Sequence, residues 1–262
     1  MSWSGATDNV AVTSYDVYKD GAFLINVASS PYTAVGLTPN TAYTFYVKAK
    51  DAAGNASANS NTVNVTTLAD STIISTKFNI EGYYDILTHA MRPVRANQGI
   101  GVSATDVDNV TLELRNAASP YELVATTTAM LQTNGTVVGT FNSAINGNFY
   151  LVLKHRNAVQ TWSANPIVIS SSTPLYDFTD NTNKAYGNNM IEMETNVWAF
   201  YSGDIDQDES VDPSDYSLWE IDANLFSFGN FVTDLNGDGA VDPSDYSIWE
   251  INSNNFAFSL HP

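Results

Sequence analysis

One acidic twelve-residue motif occurs twice near the C-terminal end of the chain, thirty residues apart. Asp-Ile-Asp-Gln-Asp-Glu-Ser-Val-Asp-Pro-Ser-Asp runs from Asp204 to Asp215, and Asp-Leu-Asn-Gly-Asp-Gly-Ala-Val-Asp-Pro-Ser-Asp from Asp234 to Asp245. Oxygen-bearing side chains fall at positions 1, 3, 5, 9 and 12 of each copy, the spacing of a helix-flanked calcium loop. A hard cation needs six or more oxygens at about 2.3–2.6 Å, and a curled loop of this length can aim five or six inward. Each copy continues into Tyr-Ser-(Leu/Ile)-Trp-Glu-Ile, so the whole unit is duplicated. Chance does not produce that.

Charge follows the motif. The chain carries a net charge of −18, and Gly203 to Pro262 holds 13 of its 28 acids and none of its 10 Lys and Arg. Such a segment repels itself unless cations bind it, and it is a poor surface for nucleic acid. Trp219, Trp249, Tyr216, Tyr246 and several phenylalanines interleave with the acids, which predicts a folded module rather than a disordered tail. The chain has no cysteine, which removes disulfides, thiolate metal sites and cysteine catalysis. No apolar run approaches the roughly 20 residues of a membrane span. No basic-then-apolar leader precedes Met1-Ser2-Trp3, as in a cytoplasmic protein or a processed or partial chain. At 262 residues two or three domains are expected.

The first part reads as all-β. Tyr15–Tyr18 alternates, Lys19-Asp20-Gly21 turns, and Phe23–Val27 returns; Tyr32–Leu37 and Thr41–Lys50 are further strands, and Thr62–Thr66 closes the segment. Trp3-Ser4-Gly5-Ala6-Thr7-Asp8-Asn9-Val10, Gly36-Leu37-Thr38-Pro39-Asn40-Thr41-Ala42-Tyr43 and Lys48-Ala49-Lys50-Asp51-Ala52-Ala53-Gly54-Asn55 resemble a bacterial fibronectin type III domain. The resemblance implies a sandwich over residues 1–68, with Leu37, Pro39 and Tyr43 at the family's tyrosine corner. The family's tryptophan matched by Trp3 lies on the second strand, so its first strand is missing here. Either the domain is cut short, or a strand from a neighbouring chain fills the gap.

Residues 69–75 read as a small polar linker, in which Asp70-Ser71-Thr72 resembles a short O-glycosylation motif of Bacteroidetes-type secreted proteins, pointing to Ser71. Residues 76–201 read as a second β-sandwich. Its expected strands are Lys77–Tyr84, Val110–Asn116, Glu122–Leu131, Thr136–Phe141, Asn148–His155, Gln160–Ala164, Ile167–Ser170 and Leu175–Thr179, with Asp85–Asn109 as a surface excursion. Ile80–Tyr84, Met91-Arg92-Pro93 and Leu153–Asn157 with Trp162 resemble a sandwich found ahead of the C-terminus in secreted Bacteroidetes proteins, a family without an activity to transfer.

Residues 202–262 resemble tandem type I dockerin repeats, a small α-helical module with two EF-hand-type calcium loops. The resemblance implies two Ca2+ ions. One would be held by Asp204, Asp206, Asp208, Asp215 and the carbonyl of Ser210, with Asp212 acting through water. The other would be held by Asp234, Asn236, Asp238, Asp245 and the carbonyl of Ala240, with Asp242 acting through water. Val211 and Val241 are expected to pair as an apolar bridge between the loops. Pro213 and Pro243 suit a first helical turn after a capping aspartate. Position 6 is Gly239 in the second loop but Glu209 in the first, where the sharp turn asks for a positive φ. Pro-Ser at positions 10 and 11 and the lack of a basic residue on either helix depart from the family's cohesin-recognition pattern. Tyr216, Trp219, Tyr246 and Trp249 are expected in the core, and Phe226, Phe228, Phe256 and Phe258 are expected to pack the module onto itself or onto the sandwich.

No catalytic constellation emerges. His89, His155 and His261 share no ligand spacing, and His155-Arg156-Asn157 reads as a strand-end polar network. The chain is thus expected to be mostly β, extracellular or cell-surface, and non-catalytic. The leading expectation is a calcium-stabilised assembly protein associating with itself head to tail into a surface fibre. One alternative is the non-catalytic C-terminal part of a secreted carbohydrate-active enzyme whose dockerin docks to a cohesin-like partner. Another is a glycan-binding module using Tyr83, Tyr84 or Trp162.

Overall fold

The computed structural model describes every residue except 10, 171 and 172; Val10, in the first fibronectin-like stretch, therefore lies outside the described residues. The chain divides into two compact units, Met1–Asp70 and Ser71–Pro262.

In the first unit, β1 (Ser14–Lys19), β2 (Ala22–Val27), β3 (Ala42–Lys50) and β4 (Val63–Thr66) form one antiparallel sheet in the order β2-β1-β3-β4. The β1–β2 turn is set by Asp20 and Gly21 at φ 52° and 80°, the two positive angles a tight two-residue hairpin requires. Alternation in β3 buries Tyr43, Phe45 and Val47 beside the fully buried Val17. The Tyr43 hydroxyl accepts a hydrogen bond from the Thr38 backbone N–H at 2.8 Å, tying the corner before β3 to that strand. Tyr43→Phe removes this acceptor and is expected to cost the unit about 1 kcal/mol, read as a lower urea midpoint at unchanged m-value. Tyr32–Leu37 is not a strand. Tyr32 exchanges hydrogen bonds with Met1, from the Met1 ammonium to the Tyr32 carbonyl and from the Tyr32 N–H back to the Met1 carbonyl, and just before it Ser30 Oγ accepts from the Trp3 N–H. Two residues do not make a ladder.

In the second unit, β10 (Thr136–Phe141), β5 (Thr72–Lys77) and β14 (Tyr176–Asp177) make one sheet, with β14 parallel to β5. β12 (Ala158–Trp162), β11 (Gly147–His155), β8 (Asp106–Asn116) and β9 (Leu123–Gln132) make the other, and β13 (Ile167–Ile169) also pairs with β11. Ile74, Val137 and Phe141 of the first sheet share a core with Leu112, Leu114, Leu131, Leu151 and Leu153 of the second, a sandwich. Several boundaries differ from expectation. The first strand is Thr72–Lys77, so the segment read as linker already pairs with β10, and Thr72 Oγ1 bonds to the Ser143 carbonyl and the Ile145 N–H. Lys77–Tyr84 is consequently not one strand: β5 ends at Lys77, Glu81–Tyr83 is a 3-10 turn, and Tyr84 already belongs to the next short strand. Asp85–Asn109 is not a surface excursion. β6 (Tyr84–Asp85), β7 (Ala90–Met91) and the short helix α1 (Val94–Asn97) carry Met91 and Val94 into the core, and β8 begins at Asp106. Ser71 is exposed at the start of the unit.

A two-stranded ribbon, β15 (Ile191–Glu194) and β16 (Val197–Ala199), leads to the acidic segment and helices α2 (Pro213–Asn224) and α3 (Pro243–Asn254). Each helix starts at a capping box: Asp212 and Asp242 accept from Ser214 and Ser244, with proline at the first helical position. The segment is seated on the sandwich through Val159, Val211 and Ala257, and through Asn252, which donates to Glu81 and to the Ser202 carbonyl.

Candidate metal centre and its sandwich support

The first acidic loop brings three of its expected ligands together. One carboxylate oxygen from each of Asp204, Asp206 and Asp208 lies within 4.8 Å of the others. Asp204 is 1% exposed, and its Oδ1 is buried without a hydrogen-bond partner among the described residues, an unsatisfied oxygen that a cation could take up. Asp215 sits at the base of the loop and laces it shut. Its Oδ1 accepts from the N–H groups of Ile205 (2.6 Å) and Asp206 (3.1 Å), and its Oδ2 from Asp212 (2.8 Å). Asp206, Asp208 and Ser210 form successive one-residue turns, Asp208 N–H to Asp206 Oδ1 and Ser210 N–H to Asp208 Oδ1. Glu209 adopts φ 81°, as position 6 demands, and Gly239 adopts φ 90° in the other copy.

The second loop repeats this lacing. Asp234 Oδ1 accepts from Gly237 N–H at 2.8 Å and Oδ2 from Gly239 N–H at 3.0 Å. Asn236 Oδ1 accepts from Asp238 N–H, and Asp238 Oδ1 from Ala240 N–H. Asp245 accepts from Asn236 and Asp242. Asp212 and Asp242 face their helices as caps, accepting from the N–H and hydroxyl of Ser214 and Ser244. Val211 and Val241 do not pair with each other. The Val211 N–H donates to the Ala257 carbonyl and the Val241 N–H to that of Ser227, so each loop bonds to the segment following the other loop's helix.

Both loops hold carboxyl groups whose ionisation is disfavoured. Burial raises the carboxyl pKa of Asp204 to about 7, with the Asp215, Asp208 and Asp206 charges adding to it. Burial likewise raises Asp215 to about 6, Asp234 to about 6 and Asp245 to about 7. These groups resist ionising together without a counter-charge, and an oxygen-only donor set of this kind suits a hard divalent ion such as Ca2+.

The environments of the loops are unlike. Asp206 and Asp208 are open to water, whereas Asp234, Leu235, Asn236 and Gly237 are buried against the sandwich. Gln98, just after α1, donates to Asp234 Oδ2 at 3.3 Å, and Arg92 donates to the Asn236 carbonyl at 3.1 Å. Asn157 donates to the carbonyls of Val232 and Asp234, each at 3.1 Å. Gly82 lies so close that a Cβ there would meet the Leu235 carbonyl oxygen at 2.0 Å. Behind these contacts, buried Asp108 accepts from His155 Nε2 at 3.2 Å and Arg156 Nε at 2.6 Å, while Arg156 also reaches the Tyr83 hydroxyl and the Phe231 carbonyl. Burial opposes the Asp108 charge, but the His155 hydrogen bond and the Arg156 guanidinium hold its carboxyl well below the usual range. His155-Arg156-Asn157 is thus a polar network, and it props the second loop. Local spacing gave no sign of Gln98 or Arg92, because more than 130 residues separate them from the loop.

The aromatics depart from expectation. Tyr83 and Trp162 are buried, so neither offers an exposed platform for a glycan. Phe226, Phe228, Phe256 and Phe258 are exposed rather than packed; Phe226 and Phe256 follow the helix ends at φ 52° and 54°, where the turned backbone aims them outward. Tyr216, Trp219, Tyr246 and Trp249 are half-buried rather than enclosed.

The fibronectin type III domain model matches residues 1–66, the segment whose sheet and tyrosine corner are described above. The N-terminal unit is a fibronectin type III domain. The chain is 54% identical over 72 residues to part of chitinase A1 of Niallia circulans, covering 28% of this chain and 10% of the chitinase. An α-amylase of the same organism is 36% identical over 111 residues, covering 41% of this chain and 8% of the amylase. Exoglucanase B of Cellulomonas fimi is 45% identical over 69 residues, covering 26% of this chain and 6% of that enzyme. The chain therefore spans about a tenth or less of these relatives. Among solved structures, a type II cohesin–X-dockerin complex from Acetivibrio cellulolyticus aligns over 71% of this chain and 97% of that one, at 15% identity and a TM-score of 0.40, too slight a likeness to bear on function. Among the described residues no helix is long and apolar enough to cross a membrane.

Proposed function

We propose that the chain is a non-catalytic accessory region of a secreted carbohydrate-active protein, ending in a dockerin-like module that folds around two Ca2+ ions and docks to a cohesin-like partner. The observation that carries this reading is the duplicated acidic loop, with converging Asp204, Asp206 and Asp208 and the orphaned Asp204 Oδ1. The fibronectin type III unit, a kind of module that also occurs in chitinases and glucanases, supports the setting. The first ion takes Asp204, Asp206, Asp208, Asp215 and the Ser210 carbonyl; the second takes Asp234, Asn236, Asp238, Asp245 and the Ala240 carbonyl. The ions supply charge neutralisation that lets the acids sit together; they take part in no reaction. Retention of the whole chain on an immobilised cohesin with calcium and its release by chelator is the expected result. A calcium-saturated chain that does not bind cohesins overturns the docking half of the reading.

A second reading, head-to-tail self-association, is favoured by one feature. A cleft of about 590 Å3 in the first unit is lined by Trp3, Tyr15, Phe45, Val47 and Val63, where a strand from another copy would pair. Light scattering in calcium separates the two, since particles that grow with concentration support the assembly.

Two further outcomes follow from the loops. Glu209→Gly relieves a positive φ that costs a non-glycine residue about 1 kcal/mol and that the loop already carries without a cation, so it is expected to raise the thermal midpoint of the Ser71–Pro262 unit in chelator as well as in calcium. Part of that gain is offset by loss of the bond from Gln160 Nε2 to Glu209 Oε1. The second outcome concerns pH. The four raised carboxyl groups titrate near 6–7 in the folded, cation-free chain against about 3.9 unfolded. Their contribution to stability in chelator is therefore fully present below about pH 4 and is lost as pH rises through 6–7. Calcium affinity should show the opposite trend, weakening on acidification through the same window as protons compete. Thermal midpoints in chelator between pH 5 and 8 check the first half, and titration with calcium across that range checks the second.

A further inference from the structure

Helices α2 and α3 leave an open cleft of about 460 Å3 lined by Tyr216, Trp219, Pro243, Tyr246 and Trp249. Tyr216 and Tyr246 stand at its centre with ring centroids 6.0 Å apart. Tyr216 lies 5.8 Å from Trp219 and 5.2 Å from Trp249, and Tyr246 lies 5.3 Å and 5.5 Å from the same two rings. The result is a continuous strip of four rings with a tryptophan at either end. A helix-pair core would be closed over; here all four rings stay half-exposed. The Trp249 indole N–H is used on the Asp212 carbonyl, while that of Trp219 is buried and has no partner among the described residues.

The rim settles what such a strip can hold. The Tyr216 hydroxyl donates to Glu220 Oε1 at 3.0 Å and the Tyr246 hydroxyl to Glu250 Oε1 at 2.9 Å, so a carboxylate stands beside each central ring. No Lys or Arg occurs between Gly203 and Pro262 to neutralise them. Aromatic faces alone would serve a neutral sugar or a cation equally. Aromatic faces flanked by carboxylates, on a segment without Lys or Arg of its own, favour a weakly hydrated positive group, attracted by the ring quadrupoles and by the acids together. Hydrated Na+ gains little from such a surface, because it gives up water without apolar area in return.

We propose that the strip formed by Tyr216, Trp219, Tyr246 and Trp249, with Glu220 and Glu250, is a binding site for an organic cation carrying an alkylammonium or guanidinium group. The site lies outside both acidic loops and does not depend on which partner the module docks to.

The test uses the full chain in calcium at fixed ionic strength, following tryptophan indole N–H resonances. Tetramethylammonium and N-acetyl-arginine amide are added in parallel with NaCl and cellobiose. Saturable shifts of the Trp219 and Trp249 signals at millimolar concentration of either organic cation are expected, and the tighter of the two identifies the preferred group. Trp219→Ala should weaken binding at least tenfold and Trp219→Phe much less. The double change Glu220→Gln with Glu250→Gln should weaken it about fivefold or more while the thermal midpoint holds. Shifts by cellobiose without shifts by the cations would overturn the proposal in favour of a sugar platform. So would unchanged cation binding in the Glu→Gln pair, or shifts by NaCl equal to those by the organic cations.

Discussion

Chelation of divalent ions is expected to lower the thermal midpoint of the Ser71–Pro262 unit, and calorimetric titration to return two calcium ions per chain. The acids of the two loops are already organised by backbone N–H groups, so a cation meets a formed site and binds the folded state alone. Such binding adds about 4 kcal/mol per site when free calcium exceeds the dissociation constant a thousandfold. That is a large share of the roughly 5–15 kcal/mol by which domains exceed unfolding. The raised carboxyl pKa values show where this stabilisation originates. Without a cation, Asp204 and Asp245 titrate at about 7 because burial disfavours their charged forms. A bound divalent ion reverses that penalty. A midpoint unmoved by chelator, with no heat of calcium binding, would remove the metal from the reading of these loops altogether.

What the sequence displayed was whatever depends on near neighbours. The twelve-residue spacing places Asp204, Asp206 and Asp208 together because ligand convergence within one loop is a local property. Position 6 called for a positive φ, and Glu209 has it. The capping prolines, the Asp20-Gly21 turn and the strand Thr136–Phe141 were legible for the same reason. What depends on distant partners was not. Thr72–Ser75 look like linker in composition, yet pair with β10 more than sixty residues on. Met91 and Val94 sit in a stretch without strand periodicity, but the fold turns both into the core. The outward aim of Phe226 and Phe256 comes from a left-handed residue after each helix, which hydrophobicity alone does not reveal. Gln98, Arg92 and Asn157 became part of the second loop's surroundings only once the sandwich was assembled.

That last group leads to a contrast between two otherwise equivalent changes. Asp215→Ala and Asp245→Ala each delete the carboxylate that closes a loop, and each should reduce calcium stoichiometry from two to one. Their effects on stability should differ. In the first loop one N–H group released from Asp215 belongs to buried Ile205, but the other two belong to Asp206 and Asp212, beside Asp206 and Asp208 that already face water. Solvent can replace part of what is lost. In the second, the N–H of Asn236 is released inside a buried segment whose carbonyls are held by Arg92 and Asn157. A buried donor without a partner costs about 1–3 kcal/mol, and any shift of the loop pulls on the Asp108–His155–Arg156 network beneath it. Asp245→Ala is therefore expected to lower the midpoint of the entire Ser71–Pro262 unit in chelator as well as in calcium, whereas Asp215→Ala acts mainly through lost calcium. Asp245→Asn, which keeps an acceptor for the loop N–H groups but not the charge, should recover much of the midpoint in chelator without restoring the second ion. Equal losses from the two alanine variants in chelator would mean that the sandwich gives the second loop no support of its own.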